Sequence, residues 1–113
     1  MAVYELEVYK RVEELTYQIY ARLVNFPKSE KFALCQDIKH TFYEILAHIS
    51  LGNSVKSKRK VYLQEADGYL QVLKVLMKLS YRRKYITLAY YQQIDEELTN
   101  INKMLSAYIR VSA

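Results

Sequence analysis

The sequence has two glycines, one proline, one cysteine and no tryptophan among its 113 residues. So little glycine and proline leaves almost nothing from which to build β-turns or a glycine-rich phosphate loop, whereas helices need neither. Helices are therefore the expected element throughout. The lone cysteine, Cys35, has no internal disulfide partner, and the N-terminus lacks the charged, apolar and small-residue order of a secretory signal. A reducing cytoplasm is the expected compartment. Long apolar runs are missing too: stretches such as Val75 to Met77 fall far short of the roughly 20 residues that cross a bilayer, which excludes a membrane protein. The length fits one domain over residues 1–113.

What the chain does contain is apolar spacing at helical period. A first helix is predicted from about Tyr4 to Asn25, with Val8, Val12, Leu15 and Ile19 on one stripe. Phe26-Pro27-Lys28 ends it, because proline disfavours helical geometry in the residue before it. Ser29, followed by Glu30, reads as the N-cap of a second helix. That helix carries Cys35, Ile38, Phe42, Ile45 and Ile49, and ends at Leu51-Gly52-Asn53, where glycine suits a left-handed cap. The third starts between Ser54 and Lys60 and reads Leu63, Ala66, Leu70, Leu73 and Met77, an unbroken a/d heptad that fades from Tyr81 to Ile86. Thr87 reads as the cap of a fourth, with Tyr91, Ile94, Leu98, Ile101, Leu105 and Tyr108 on its stripe, running nearly to Ala113. Four stripes of similar length joined by short connections predict an all-α, up-and-down antiparallel four-helix bundle.

Two of these helices have a second apolar face. On the first, Leu6, Tyr9, Tyr17, Tyr20 and Val24 cluster opposite the core stripe; on the third, Tyr62, Tyr69, Val72, Leu76 and Leu79 do the same. Exposed apolar patches rich in tyrosine mark interfaces, so these residues are the expected oligomer contact. Gly68, inside the third helix at a cost of about 1 kcal/mol relative to alanine, fits close approach of a neighbouring backbone. Helices one and three are diagonal in such a bundle, so the contact is heterologous and makes a ring if the rotation closes.

No catalytic set, metal site or cofactor motif is visible, and the chain reads as a non-enzyme. His40 and His48 are eight apart on one helix with about 80° between them, not the i, i+4 pairing of a metal site, and read as surface or interface residues. Glu13-Glu14 and Asp95-Glu96-Glu97 are consecutive and diverge around their helices, as solvated charges do. Cys35, on a core stripe, reads as a small buried hydrophobe.

The net charge of +5 is unevenly spread. Lys56, Lys58, Arg59, Lys60, Lys74, Lys78, Arg82, Arg83 and Lys84 fall in one stretch whose only acids are Glu65 and Asp67. Lys60, Lys74, Lys78 and Arg82 form a ridge beside the core stripe, with Tyr62, Tyr81 and Tyr85 interleaved among the positive charges. That combination suits phosphate contact with base stacking, so RNA or DNA is the expected ligand. The alternative is a structural scaffold whose basic helix docks an acidic protein without nucleic acid.

Three stretches carry a family resemblance. They are Phe26-Pro27-Lys28-Ser29-Glu30-Lys31-Phe32 with Leu34, Gln36 and Ile38; Glu65-Ala66 with Leu70, Leu73, Lys74, Leu76 and Leu79; and Ile94-Asp95-Glu96 with Ile101, Met104-Leu105 and Ile109. In that order and spacing the chain resembles the accessory variability determinant (Avd) proteins of diversity-generating retroelements, within a wider bacterial four-helix-bundle group that includes intervening-sequence proteins of ribosomal RNA. The resemblance implies a homopentameric barrel of four-helix bundles that binds the retroelement reverse transcriptase and its template RNA during error-prone copying. It also implies that the family's basic third-helix positions correspond to Lys74 and Lys78. A Gly-Trp pair common near the family's C-terminus is replaced here by Ala107-Tyr108.

Overall fold

The computed structural model describes residues 2–112, so Met1 and Ala113, the ends of the expected domain, lie outside the described residues. Four helices follow one another: α1 (Glu7–Leu23), α2 (Leu34–Ser54), α3 (Arg59–Arg82) and α4 (Leu88–Arg110). Short 3-10 turns, Val3–Glu5, Lys28–Glu30 and Lys56–Lys58, precede α1, α2 and α3, and no strand occurs among the described residues. Each helix packs on its neighbours in the order α1, α2, α3, α4 and back to α1, with α1 and α3 diagonal. This is the up-and-down four-helix bundle that the four stripes predict. It measures 43 × 25 × 21 Å, and α2 against α3 is its tightest seam.

The core is built from the stripes. Val12 and Ile19 of α1, Ile38, Ile45 and Ile49 of α2, Leu63, Ala66, Leu70, Leu73 and Met77 of α3, and Ile94, Leu98, Ile101 and Leu105 of α4 are almost wholly buried. Each large aliphatic side chain taken from water contributes about 1.5–3 kcal/mol, so this seam is what opposes the chain's conformational entropy. Cys35 is buried at 4% exposure, as its stripe position requires, and burial pushes its thiol above the usual range.

Helix ends differ from the sequence expectation in three places and agree in one. Ser29 does not cap α2; it lies in the 3-10 turn, and α2 begins at Leu34. Gly52 takes no left-handed conformation and sits inside α2. Its reason is packing: a Cβ there would stand 2.9 Å from Leu63 Cδ2. At the start of α4 the core position belongs to Tyr90, 8% exposed, while Tyr91 is half-buried and stacks on Tyr81 at 5.3 Å. Thr87 does cap α4, its hydroxyl accepting the Tyr90 N–H at 3.1 Å.

Among the described residues the left-handed one is Lys84, with φ 63°. The Lys84 N–H donates to Tyr81 O and the Tyr85 N–H to Ser80 O, at 2.8 and 2.9 Å. These paired bonds are the Schellman closure of α3, built on a lysine where glycine is usual.

Candidate nucleic-acid interface

The up-and-down topology sorts the charges by height along the bundle. One end, here the loop end, holds the α1–α2 and α3–α4 connections. Counting those connections and six residues of each helix, it carries Arg22, Lys28, Lys31, Lys39, Lys78, Arg82, Arg83 and Lys84 against Glu30 and Asp37. The opposite, terminal end carries seven cations, four of them Lys56, Lys58, Arg59 and Lys60, against Glu5 and Glu7. Between them lies an acidic waist: Glu13, Glu14, Glu44, Glu65, Asp67, Asp95, Glu96 and Glu97, with only Lys74 and Lys103 opposing.

The nine basic residues singled out in the sequence are therefore not one site. Arg59 and Arg82 stand roughly 35 Å apart along α3. Lys56, Lys58 and Lys60 are exposed at the terminal end; Lys78, Arg82, Arg83 and Lys84 are exposed at the loop end. Lys74 lies in the waist, half-buried, with its Nζ donating to Thr99 Oγ1 at 3.4 Å. Arg59 has a structural task, because its Nε and Nη2 donate to Gly52 O and Asn53 O at 2.8 and 3.0 Å and its guanidinium lies 5.6 Å from the Tyr108 ring centre.

Sequence order hid the other half of the loop end. Arg22, Lys28, Lys31 and Lys39 belong to a different stretch and reach Arg82, Arg83 and Lys84 only through the fold. The two connections are tied there: Tyr85 Oη donates to Glu30 Oε2 at 2.8 Å, Phe26 and Tyr85 rings meet at 5.3 Å, and Arg83 lies against the Tyr85 hydroxyl, which raises its pKa further. The Arg22 guanidinium covers the Tyr90 ring at 4.0 Å. Among the described residues, Arg11 is the one Lys or Arg within ion-pair distance of a carboxylate, with Glu7 at 3.3 Å and Glu97 at 3.2 Å. No loop-end lysine or arginine among the described residues is within ion-pair distance of a carboxylate, so eight cations against Glu30 and Asp37 leave this end net positive toward solvent.

The tyrosine faces are also redistributed. Tyr17, Tyr20, Val24 and Val72 are exposed, at 60%, 47%, 79% and 49%. Leu6 and Tyr9 lean on the core, as do Tyr69 and Leu76. Tyr62 and Tyr69 enclose His48 at 6.3 and 5.1 Å, and His48 reaches Glu65 at 3.1 Å and Glu44 at 3.6 Å. The outward line of α3 is instead Val61, Glu65, Gly68, Val72, Val75 and Leu79, a second line at 4-3 spacing whose members are all exposed. A Cβ on Gly68 would meet nothing within 4 Å. Val61 and Val75 were discoverable from that spacing alone.

The sequence profile described as bAvd-like matches residues 6–112. The chain belongs to the bAvd-like family. Family membership thus agrees with the resemblance read from residues 26–38, 65–79 and 94–109. A solved protein of unknown function from the S23 ribosomal protein family of Bacteroides thetaiotaomicron VPI-5482 shares the fold, with a TM-score of 0.77 at 24% identity. The alignment covers 92% of this chain and 96% of that one. Among curated proteins nothing matches. No helix of the bundle is long and apolar enough to cross a membrane, and among the described residues no group of three His, Cys, Asp or Glu side chains is placed to hold a metal ion.

Proposed function

We propose that this bAvd-like chain is a non-enzymatic accessory protein that self-associates and holds nucleic acid together with a reverse transcriptase in the cytoplasm, in the mutagenic copying step of a diversity-generating retroelement. The observation that carries the reading is the loop end, where eight cations from two connections and the helix ends beside them converge, none within ion-pair distance of a carboxylate among the described residues. Family membership supplies the retroelement context. The exposed 4-3 line on α3 supports assembly, since its four apolar members, Val61, Val72, Val75 and Leu79, lie outside the core at the spacing that packs a further helix. Repetition of the loop end around a ring, a pentamer by the family resemblance, turns weak phosphate contacts into avid ones.

The test is binding of template-type RNA and single-stranded DNA across a salt series, beside sedimentation of the free protein. Affinity is expected to fall steeply with salt, by at least 100-fold between roughly 50 and 200 mM, as phosphate-driven binding does. Equal affinity for a polyglutamate peptide transfers the function to docking of an acidic protein. Particles of the 13.4 kDa protomer mass alone remove the assembly.

A further inference from the structure

At the loop end, α1 and α2 part around a cleft of about 270 Å³. Its floor is Leu23, Phe26 and Cys35, all buried, and burial pushes the Cys35 thiol pKa up. Its walls are Tyr20 and Val24, which remain 47% and 79% exposed and present apolar surface to solvent. Its rim is Lys28, Lys31 and Lys39. Lys39 Nζ stands 4.4 Å from the Tyr20 ring centre, and Lys31 Nζ stands 5.4 Å from that of Phe32, itself 84% exposed beside the rim. Glu30, the acid of this connection, is held by the Tyr85 hydroxyl on the adjoining connection.

An apolar slot with three ammonium groups at its lip complements a ligand that is flat and apolar at its centre and anionic on both sides. At the lower bound of small-ligand clefts, roughly 300 Å³, it has room for one ring system and none for a duplex. A single nucleic-acid strand has this chemistry at every residue, because each base has an apolar face and lies between two phosphates. An acidic peptide offers the charge but not a ring between each pair of anions. We propose that the cleft takes one unstacked base of a single strand, with the flanking phosphates on Lys28, Lys31 and Lys39. This rests on the nucleic-acid reading above and names where a base is held.

The experiment compares a ten-uridine strand with an abasic strand of the same length and charge, by fluorescence anisotropy at fixed salt, for the native chain and Val24→Gln. Position 24 is exposed, so the substitution leaves the fold and the charge intact while placing an amide across the mouth. The base-bearing strand is expected to bind at least about tenfold tighter than the abasic one, within the range for stacking a base on aromatic surface. Val24→Gln is expected to reduce that preference below about threefold and to leave abasic binding unchanged. The Val24 methyl resonances are expected to shift with the base-bearing strand and not the abasic one. Equal binding of both strands with a steep salt dependence overturns the base site and leaves the nucleic-acid function standing. Failure of both strands to bind overturns both. A preference that survives Val24→Gln places the base elsewhere, and Val24 shifts that track protein concentration instead of added strand assign the cleft to a second copy; either result overturns the proposal.

Discussion

The two ends of α3 carry similar charge and use it differently. At the terminal end, Arg59 serves the fold: it caps the last carbonyls of α2 and packs over Tyr108, and the neighbouring Gly52 exists to admit Leu63. At the loop end, α3 closes on its own backbone through Lys84, α4 is capped by Thr87, and the side chains of Arg82, Arg83 and Lys84 stay exposed, that of Arg83 against the Tyr85 hydroxyl. A basic residue near a helix end is structural when orphan carbonyls lie within its reach, and is left as surface charge when the backbone has already satisfied them. The distinction follows from the connection's geometry and not from the local count of lysines.

The largest effect expected from this contrast is on nucleic-acid affinity. Arg82, Arg83 and Lys84 replaced together by glutamine should weaken RNA binding by roughly 10- to 100-fold near 0.1 M salt and lower the log–log salt slope by about 2, in proportion to the phosphates no longer neutralised. The matched triple at the terminal end, Lys56, Lys58 and Lys60 to glutamine, should change affinity by less than about fivefold. Equal weakening by the two triples, measured by titration across salt, erases the functional difference between the ends.

Stability should respond in the opposite sense. Arg59→Ala removes two charge-assisted hydrogen bonds to α2 carbonyls and a ring contact, at an expected cost of about 2–3 kcal/mol in urea unfolding. Arg83→Ala, whose side chain is exposed, should stay within about 0.5 kcal/mol of the native chain. If Arg83→Ala is the more damaging of the two, the assignment of structural and free cations is reversed.

How much of this was legible in the sequence depends on how local the cause is. The core of α3 was, since Leu63, Ala66, Leu70, Leu73 and Met77 announce themselves by a 3.5-residue period, and so was Thr87, whose hydroxyl bonds three residues on. Gly52 was misread because its reason lies at Leu63, eleven residues away across the α2–α3 seam, and local glycine chemistry offers a different explanation. Ser29 was misread because a 3-10 turn intervenes before α2. The candidate site suffered most. Adjacency in sequence grouped Lys56 with Lys84, yet a 24-residue helix holds them at opposite ends, while Lys28 and Lys31 join Arg82 only because antiparallel helices return their connections to the same end. The tyrosines misled for a related reason: Tyr62 and Tyr69 are large enough to lean over α2 and cover His48, leaving the outer line of α3 to the smaller Val61, Val72 and Val75.

The smallest of these effects concerns the one described non-glycine residue held in the left-handed region. Lys84 occupies the left-handed region, where a side chain costs about 1 kcal/mol that glycine avoids. Lys84→Gly should therefore raise unfolding stability by about 0.5 kcal/mol, less than the full relief because glycine also gives the unfolded chain more freedom. The same change removes a loop-end cation, so the salt slope for a single strand should fall by about 0.7. Opposite movements of stability and affinity in one variant identify a lysine kept at that position for binding. A variant in which both decline means that the Lys84 side chain supports the α3–α4 connection itself, and the loop end is then closer in kind to Arg59 than the geometry indicates.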